Sequence, residues 1–405
     1  MLNGKKEYLG NYGSAKSQEK YHRLLAEWSA NGGSLPVEQK SVAVIKLIQA
    51  YWRHVKITYR HDDGELTHYA NRIRIALRPV KRLYGRSSAA DFGPLALKAV
   101  RSELISKGLA RKTINDYVNF IRQMFKWAVA EELIPSSVYE GLRAVEGLKK
   151  NRSEAKETEP IRPVALDHVD AIQPFVSRQV WALIQLQRFT GARSGELVIL
   201  RKSDIDTSGK VWHYSPLKHK NQHRGHDRII PFGPKSQAVI QAFLLDRSPD
   251  AYLFSPAEAE RERREMMHKQ RTTPMGYGNR PGTNKKRNPK CSAGDHYTTN
   301  SYRSAITRAC DLAFPPADPL GPRKDESQRA WKRRLSVKEK EQVKAWQKDH
   351  RFRPHQIRHA VATQVRKETN IEVARAMLGQ KSLDATEIYA EQDLTCASEY
   401  ALKHG

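Results

Sequence analysis

Two side chains near the C-terminal end of the sequence could bind a phosphodiester. His355 and Arg358 lie three residues apart in the stretch PHQIRH, a spacing that places both on one face of a helix. Arginine offers a planar fork of donors to phosphate oxygens, and histidine offers a titratable hydrogen bond. Tyr389, further downstream, could supply a nucleophile. The H-x-x-R pattern occurs by chance in many chains, so its meaning depends on the elements that position it.

The composition indicates a polyanionic partner. The 405 residues include 71 Lys and Arg against 44 Asp and Glu, a formal net charge of +27. This excess favours nucleic acid first and an anionic membrane surface second. No apolar run approaches roughly 18 residues, and the N-terminus lacks a signal-peptide apolar region, so we expect no membrane partner and a cytoplasmic, nucleoid-associated location. The three cysteines are far apart, which predicts neither a disulfide framework nor a cysteine zinc site.

The N-terminal third is predicted to be helical. Residues 1–36 are polar, and the sequence leaves open whether this N-terminal arm is a loosely ordered tail or touches DNA. Residues 37–147 have the length and apolar spacing of an all-α domain. We expect Thr113 to cap its last helix and Pro79 to break an earlier one. The predicted helices, with a short one in the arm, cover residues 15–30, 42–52, 69–84, 94–107 and 113–128.

A second domain is predicted after residues 148–164, a charged stretch with two prolines that is typical of a linker. An apolar helix over 177–189 ends at a Thr-Gly pair, and another helix begins near Glu196, so Arg193 lies at a junction where its side chain can enter a cleft. Two short runs, 210–215 and 227–232, have strand character. They predict a β-hairpin whose polar tip carries lysines.

Four motifs in this order resemble those of the tyrosine recombinases (the phage integrase family). They are TGARSGELVIL with Arg193, the lysine-bearing hairpin, PHQIRH, and LGQ followed nine residues after its glutamine by Tyr389 in EIYAE. The match covers most of 160–395, and the helices of 37–147 resemble the core-binding domain of that family. The resemblance implies a mainly α fold with a small β-hairpin or sheet. An all-α core-binding domain would be joined by the linker to an α+β catalytic domain, 165–405, as a C-shaped clamp on DNA.

The resemblance also implies a reaction. In that family a tyrosine hydroxyl attacks the scissile DNA phosphate and forms a 3′-phosphotyrosyl link, with no metal, ATP or other cofactor. Here Tyr389 would be the nucleophile. Arg193 and Arg358 would stabilise the non-bridging oxygens of the transition state, and His355 would add a hydrogen bond.

Other positions of the family's site are also present. Lys220 on the hairpin would be the general acid for the departing 5′-oxygen, with Lys218 as the alternative. Glu196 and His359 would support the site. The position nine before the nucleophile is usually His or Trp in the family, and here it is Gln380. An amide can still donate a hydrogen bond to phosphate but exchanges no proton near neutral pH.

Two further regions depart from a minimal family member. The chain carries a basic insertion at about 255–350; its first part, 255–290, has ten basic residues against four acidic ones. Residues 391–405 could form a short tail helix, and such tails in the family dock onto a neighbouring protomer. Tentative DNA contacts in the helical domain are Arg72, Arg74, Lys112 and Arg122.

The function implied by the resemblance is site-specific DNA recombination that integrates or excises a mobile element. The expected partner is a double-stranded recombination site, bound by a homo-tetramer on two duplexes, with a monomer as the free form. Two alternatives stay open. One is a type IB topoisomerase that relaxes any duplex, and the other is a DNA-binding regulator with a degenerate site.

Overall fold

In the computed structural model, the described residues are 8–30, 42–61, 63–217, 228–274 and 292–380. The chain divides between Glu159 and Pro160 into two compact units. They are called unit 1 and unit 2, and each is described by itself. The division falls inside the segment 148–164 that the sequence predicts as a linker.

Unit 1 contains only α-helices and short connections among its described residues. Four of the helices correspond to the four predicted in the helical domain, and α1 to the one predicted in the arm. The sequence reading did not include α6. The helices are α1 (Ala15–Ala30), α2 (Val44–Thr58), α3 (His68–Tyr84), α4 (Pro94–Ser106), α5 (Arg111–Ala130) and α6 (Ser136–Arg143).

The core of unit 1 lies between the apolar faces of α2 to α6. Leu47 on α2, Ile73 on α3 and Ile121 on α5 are fully buried. Phe125 on α5 stacks on Phe92, which precedes α4, with ring centroids 4.7 Å apart. Burying a side chain of this size contributes about 1.5–3 kcal/mol relative to leaving it exposed. This packing stabilises the helices that the apolar spacing predicts.

Two local predictions in unit 1 are wrong. Pro79 lies inside α3 and does not end it, although a proline in a helix removes one hydrogen bond. The buried neighbours Leu77 and Val80 offset that loss by packing in the core. Thr113 does not cap α5, which begins at Arg111. The backbone N–H of Arg111 donates to a carbonyl outside the helix, on Lys156, at 2.9 Å, which satisfies one of the free donors at this end.

The first part of the segment 148–164 packs against α5. The guanidinium of Arg111 contacts Glu157 at 2.6 Å and donates to the Leu148 carbonyl at 3.1 Å. The Asn115 amide accepts from the Leu148 N–H at 2.8 Å and donates to its carbonyl at 3.1 Å. Ala155 is buried in the core of unit 1. These contacts hold residues 148–157 on unit 1.

Unit 2 combines helices with a small sheet, as the predicted fold class requires. Two single 3₁₀ turns lie at 173–175 and 202–204. Within its described part, its helices are α7 (Leu166–Asp170), α8 (Arg178–Thr190), α9 (Ser194–Leu197), α10 (Pro234–Gln241), α11 (Pro256–Lys269), α12 (Thr299–Ala313), α13 (Gln328–Arg334), α14 (Val337–His350), α15 (Pro354–Glu368) and α16 (Ile371–Leu378).

The sheet has three antiparallel strands in the order β1 (Ile205–Asp206), β2 (Trp212–Tyr214) and β3 (Ile230–Phe232). Tyr214 on β2 is opposite both Ile205 on β1 and Ile230 on β3. The antiparallel pairing of β2 with β3 agrees with the predicted hairpin, whereas β1 was not predicted. Pro231 lies on β3, an edge strand, where its missing N–H breaks no ladder.

Helix α15 positions the H-x-x-R pair, and it packs against α8 and α16. Helix α15 begins with a proline, and the Gln356 side chain accepts from the Arg353 N–H at 3.0 Å, which satisfies one of the donors at this end. Ile357, Val361 and Ala362 on α15 are buried. The apolar side of α15 therefore fixes the direction in which its polar residues project.

Candidate active site

Arg358 is fully buried and joins the ends of two other helices. Its Nη1 donates to the carbonyl oxygen of Gly191 at 2.6 Å, and its Nη2 donates to that of Leu378 at 2.8 Å. Gly191 follows α8 and Leu378 ends α16. These two hydrogen bonds hold the guanidinium in one orientation before any ligand binds.

Gly191 allows this close approach. Its φ is +62°, in the left-handed region that ends α8, and a β-carbon there would lie 2.8 Å from Leu378 Cδ2 and 3.2 Å from Val361 Cγ1. The predicted end of the helix at the Thr-Gly pair is therefore confirmed. Glycine is required for the backbone conformation and also for the contact with α15 and α16.

The two histidines of α15 lie next to Arg358. The rings of His355 and His359 meet edge to face, with centroids 5.1 Å apart. His359 is buried, whereas His355 is partly exposed. His355 thus precedes Arg358 by one turn of α15, as the spacing predicts, and its exposed part can reach a ligand.

Arg193 lies at the N-terminus of the short helix α9, at the predicted junction. Its Nη1 contacts Glu196 Oε1 at 2.8 Å, and its backbone N–H donates to Glu196 Oε2 at 2.9 Å. The Glu196 side chain is only 3% exposed, while that of Arg193 is 26% exposed. The buried carboxylate therefore holds the arginine, and the guanidinium still faces outward in part.

Arg228 is a buried cation of this site that the sequence reading missed. Its Nε lies 3.7 Å from Glu196 Oε2, and its Nη2 donates to the Met377 carbonyl oxygen at 3.2 Å. Strand periodicity could have identified it, because Arg228 shares the inward face with Ile230 and Phe232. A charged side chain on the buried face of a strand is rare without a partner.

The residues at the end of α16 complete the described part of the site. Gly379 has a φ of +61° and ends the helix, and the Gln380 N–H donates to the Arg375 carbonyl at 3.0 Å. Gln380 is 9% exposed, and its Oε1 accepts no hydrogen bond from any described residue. Tyr389, Lys218 and Lys220, like the tail 391–405, lie outside the described residues.

The site carries a net positive charge. Two guanidinium groups, of Arg193 and Arg228, lie beside one buried carboxylate, that of Glu196, and the third, of Arg358, is held by backbone carbonyls. Burial lowers the pKa of Arg228, and the charge of Arg193 lowers it further, whereas Glu196 raises it. Cations in a low-dielectric setting attract anions strongly, and the fork geometry suits phosphate oxygens. The arrangement can bind a phosphate and stabilise added negative charge on it.

The tentative DNA-contact residues of unit 1 fall into two groups. Arg74 and Lys112 are exposed. Arg72 pairs with Asp116 at 2.5 Å and lies over the Phe120 ring at 5.2 Å. Arg122 Nη1 lies 3.5 Å from the Val145 carbonyl and is partly buried. The first group is accessible to a ligand, and the second also takes part in packing within unit 1.

No described group of three or more His, Cys, Asp or Glu side chains is arranged to hold a metal ion. None of the described helices is long and apolar enough to cross a membrane.

Comparison with known structures identifies the fold. The Tn1549 transposon integrase (residues 82–397), in complex with a circular intermediate DNA, matches with a TM-score of 0.54 and 17% identity over 90% of this chain and 100% of that chain. A lambda integrase dimer bound to a COC′ core site matches with 0.55 and 12% identity over 93% and 87%. The XerH recombinase bound to difH matches with 0.52 and 13% identity over 90% and 98%. Neither a family model nor a curated protein matches the sequence.

This chain has the fold of the tyrosine recombinases. The three structures are similar along most of their own length and most of this chain, so the likeness includes both units. The fold class predicted from the sequence resemblance is therefore confirmed. At 12–17% identity these similarities establish the fold alone.

Proposed function

We propose that this protein is a site-specific DNA recombinase that cleaves and rejoins strands through a 3′-phosphotyrosyl intermediate. The observation that carries the proposal is the buried Arg358, held by the Gly191 and Leu378 carbonyls close to the Arg193–Glu196 pair. In this fold, these are the positions from which two arginines would hold a scissile phosphate. The DNA-bound state of the compared recombinases supports double-stranded DNA as the partner.

In the proposed reaction, the Tyr389 hydroxyl oxygen attacks the phosphorus, its proton passes by way of His355 to solvent, and the bond to the 5′-oxygen breaks. Lys220, or else Lys218, gives a proton to the departing 5′-oxygen. Arg193 and Arg358 stabilise the charge that builds up on the non-bridging oxygens. Attack of a 5′-hydroxyl on the phosphotyrosine then reverses these steps, so the energy of the broken bond is kept and no external energy source is consumed.

His355 and Gln380 would complete the phosphate contacts. The exposed part of His355 can donate a hydrogen bond to an oxygen of the phosphate. The Gln380 amide would do the same at the position where the family usually has His or Trp. His359 and Glu196 are buried and would orient His355 and Arg193 respectively.

We further propose that unit 1 is the core-binding domain and that its exposed cations Arg74 and Lys112 contact the DNA backbone. Integration or excision of a mobile element, through a tetramer on two duplexes, is the biological form that we propose. The net charge of +27 supports a long phosphate contact, because neutralising each phosphate releases counterions.

A covalent-trapping experiment tests the proposal. Duplexes from the DNA flanking the gene, chosen for inverted repeats around a short spacer, carry a nick so that cleavage traps the protein on the DNA. We expect a covalent adduct that forms without added metal and is absent in Tyr389→Phe. Tyr400→Phe, which alters another tyrosine near the C-terminus, should still form it.

Two results would contradict the proposal. One is the absence of an adduct with every flanking duplex, which would favour a DNA-binding regulator. The other is an adduct that persists in Tyr389→Phe. Relaxation of any supercoiled plasmid regardless of sequence would instead indicate the topoisomerase alternative.

A further inference from the structure

We propose that Arg228 is a positioning residue that fixes the end of α16, residues 377–380, against Glu196, the carboxylate that also holds Arg193. Its role in cleavage depends on the proposed function. The anchoring of α16 depends only on the contacts of Arg228 and can be tested without DNA.

The Arg228 guanidinium contacts three different parts of unit 2. Its Nη2 donates to the Met377 carbonyl at 3.2 Å, its Nη1 donates to the Ile229 carbonyl at 3.1 Å, and its Nε faces Glu196 at 3.7 Å. The side chain is 7% exposed. One buried cation thus connects the base of the hairpin, the last turn of α16 and the carboxylate that holds Arg193.

Gly379, which lacks a side chain, leaves room for the Arg228 guanidinium. A β-carbon at Gly379 would lie 2.5 Å from Arg228 Nη1 and 2.8 Å from its Cζ, so the guanidinium lies against the glycine backbone. Glycine also supplies the left-handed φ of +61° that ends α16. The α16 terminus and the Arg228 side chain therefore fit each other closely.

Two arginines bind neighbouring carbonyls at the end of α16. Arg228 binds the carbonyl of Met377, and Arg358 binds the carbonyl of the next residue, Leu378. Arg358 is tied at its other end to Gly191, and Arg228 is tied to Glu196. The end of α16 is thus held from two sides. In the proposed reaction only Arg358 would also touch the phosphate.

Loss of Arg228 would leave Arg358 as the remaining side-chain anchor that the described contacts provide for this end of α16. Arg228→Lys keeps the charge beside Glu196 but cannot form the planar fork between two carbonyls. Arg228→Met removes the charge and retains much of the volume. We expect both variants to loosen residues 377–380, with the larger effect in Arg228→Met.

Arg247 provides a matched control in the same unit. It also lies between two backbone carbonyls and a glutamate, with Nε donating to Phe243 at 3.0 Å, Nη1 donating to Tyr252, and Nη2 contacting Glu258 at 2.7 Å. None of these partners belongs to the candidate active site. Arg247→Met therefore removes the same type of contact elsewhere in unit 2.

Hydrogen exchange tests the anchoring. The amides of Gly379 and Gln380 donate to the Ala376 and Arg375 carbonyls, so their exchange reports on the α16 terminus. We expect their exchange to rise at least about 10-fold in Arg228→Met and not in Arg247→Met. Gly379→Ala should have a similar effect. Gly108→Ala is its control, because Gly108 also has a positive φ but has open space around it.

Single-turnover cleavage of the nicked duplex tests the role in the reaction. We expect Arg228→Met to cleave about 10- to 100-fold more slowly, because small displacements of reacting groups have effects of this size. DNA affinity should stay within about 3-fold, since binding depends mainly on backbone contacts elsewhere. Arg228→Lys should recover part of the rate, and Arg247→Met should cleave at the wild-type rate.

The two measurements separate the two proposals. Unchanged exchange at Gly379 and Gln380 in Arg228→Met would overturn the anchoring. Equal slowing of cleavage by Arg228→Met and Arg247→Met would overturn the positioning role and indicate a general loss of stability. If the wild-type protein cleaves no DNA, the proposed function and the role of Arg228 in cleavage fail, and the exchange data still decide whether Arg228 anchors α16.

Discussion

Unit 1 and unit 2 differ in what they bury. The core of unit 1 consists of apolar side chains on α2 to α6 and their connections, such as Leu47, Ile73 and Phe125. Among the described residues, all the buried polar and charged side chains lie in unit 2. They are Gln179, Gln187, Thr190, Glu196, Arg228, Ser236, Ser255, Arg358, His359 and Gln380.

The buried side chains of unit 1 contribute to stability, whereas the buried charged side chains of unit 2 have a stability cost and could take part in chemistry. Removing a charge from water costs several kcal/mol unless partners replace the lost hydration. In unit 2 the partners are backbone carbonyls and one carboxylate, so the guanidinium groups are fixed before the proposed phosphate ligand binds. Such preorganisation is what stabilises charge in a transition state. Among its described residues, unit 1 has no fully buried charged side chain.

The largest effect on stability is expected from an apolar truncation in unit 1. Phe125→Ala should lower the free energy of unfolding of unit 1 by about 4 kcal/mol, because it leaves a cavity beside Phe92. The loss should be the same at pH 5 and pH 8 and at low and high salt, since no charge is involved. Hydrogen exchange of the α5 amides measures it. If the loss of unfolding free energy in Phe125→Ala depended strongly on pH or salt, the proposed difference between the cores of unit 1 and unit 2 would be wrong.

A charge deletion in unit 2 should behave differently. Glu196→Gln leaves Arg193 and Arg228 without their carboxylate and should lower the free energy of unfolding of unit 2 by about 3 kcal/mol. Added sulfate should restore part of this loss, because an anion can take the place of the carboxylate charge. Exchange of the α8 amides with and without sulfate is the measurement.

Glu258→Gln is the control for that variant. Glu258 pairs with Arg247 at 2.7 Å, but its side chain is 25% exposed. The expected loss is only about 1 kcal/mol, since solvent compensates a partly exposed cation. Equal losses of unfolding free energy in Glu196→Gln and Glu258→Gln would mean that burying the cations beside Glu196 adds no cost when the carboxylate charge is removed.

A smaller and opposite effect is expected at Asp204. Burial raises the pKa of this carboxyl, and Arg201, 4.0 Å away, opposes the rise only in part. The charged form is therefore unfavourable in the folded state above the folded pKa, and this penalty disappears as the pH falls below the unfolded pKa. Asp204→Asn should add about 1 kcal/mol to the free energy of unfolding at pH 7.

Urea denaturation measures the free energy of unfolding of Asp204→Asn and of the wild type. The difference between these two free energies should shrink as the pH falls from 7 toward 4. The wild type gains relative stability over that window because its folded state takes up the proton more readily. A difference that grows on acidification would show that Asp204 stabilises the fold as a carboxylate.

The smallest effect is expected at Gln380. Gln380→His should preserve the cleavage rate or raise it by no more than about 10-fold, because an imidazole can donate to the phosphate and also exchange a proton. The nicked-duplex assay measures the rate, and a pH profile would show the added titrating group. A large loss of cleavage would instead assign a dedicated role to the amide.

The sequence predicted the local elements of the site better than the contacts between them. The helix that carries His355 and Arg358, and the end of α8 at Gly191, follow from spacing and from glycine chemistry. Pro79 and Thr113 were misjudged because tertiary packing and the Lys156 carbonyl override local propensity.

Arg228 was missed because its partners are distant in the sequence. Only the alternation with Ile230 and Phe232 indicated that it points inward, and no local pattern links it to Met377. The hydrogen bonds that hold the site join positions far apart, and such pairs cannot be read from a single sequence without knowing how the helices pack.

The length of these connections also governs when the site can form. The Arg358–Gly191 bond spans 167 residues and the Arg228–Met377 bond spans 149. Contacts that close such long loops form late, after the local helices. During synthesis, a chain that has not yet emerged beyond α14 contains Arg193 and Glu196 but lacks Arg358 and the α16 terminus. The proposed strand-cleaving site would therefore exist only once nearly all of the described chain has been made and folded.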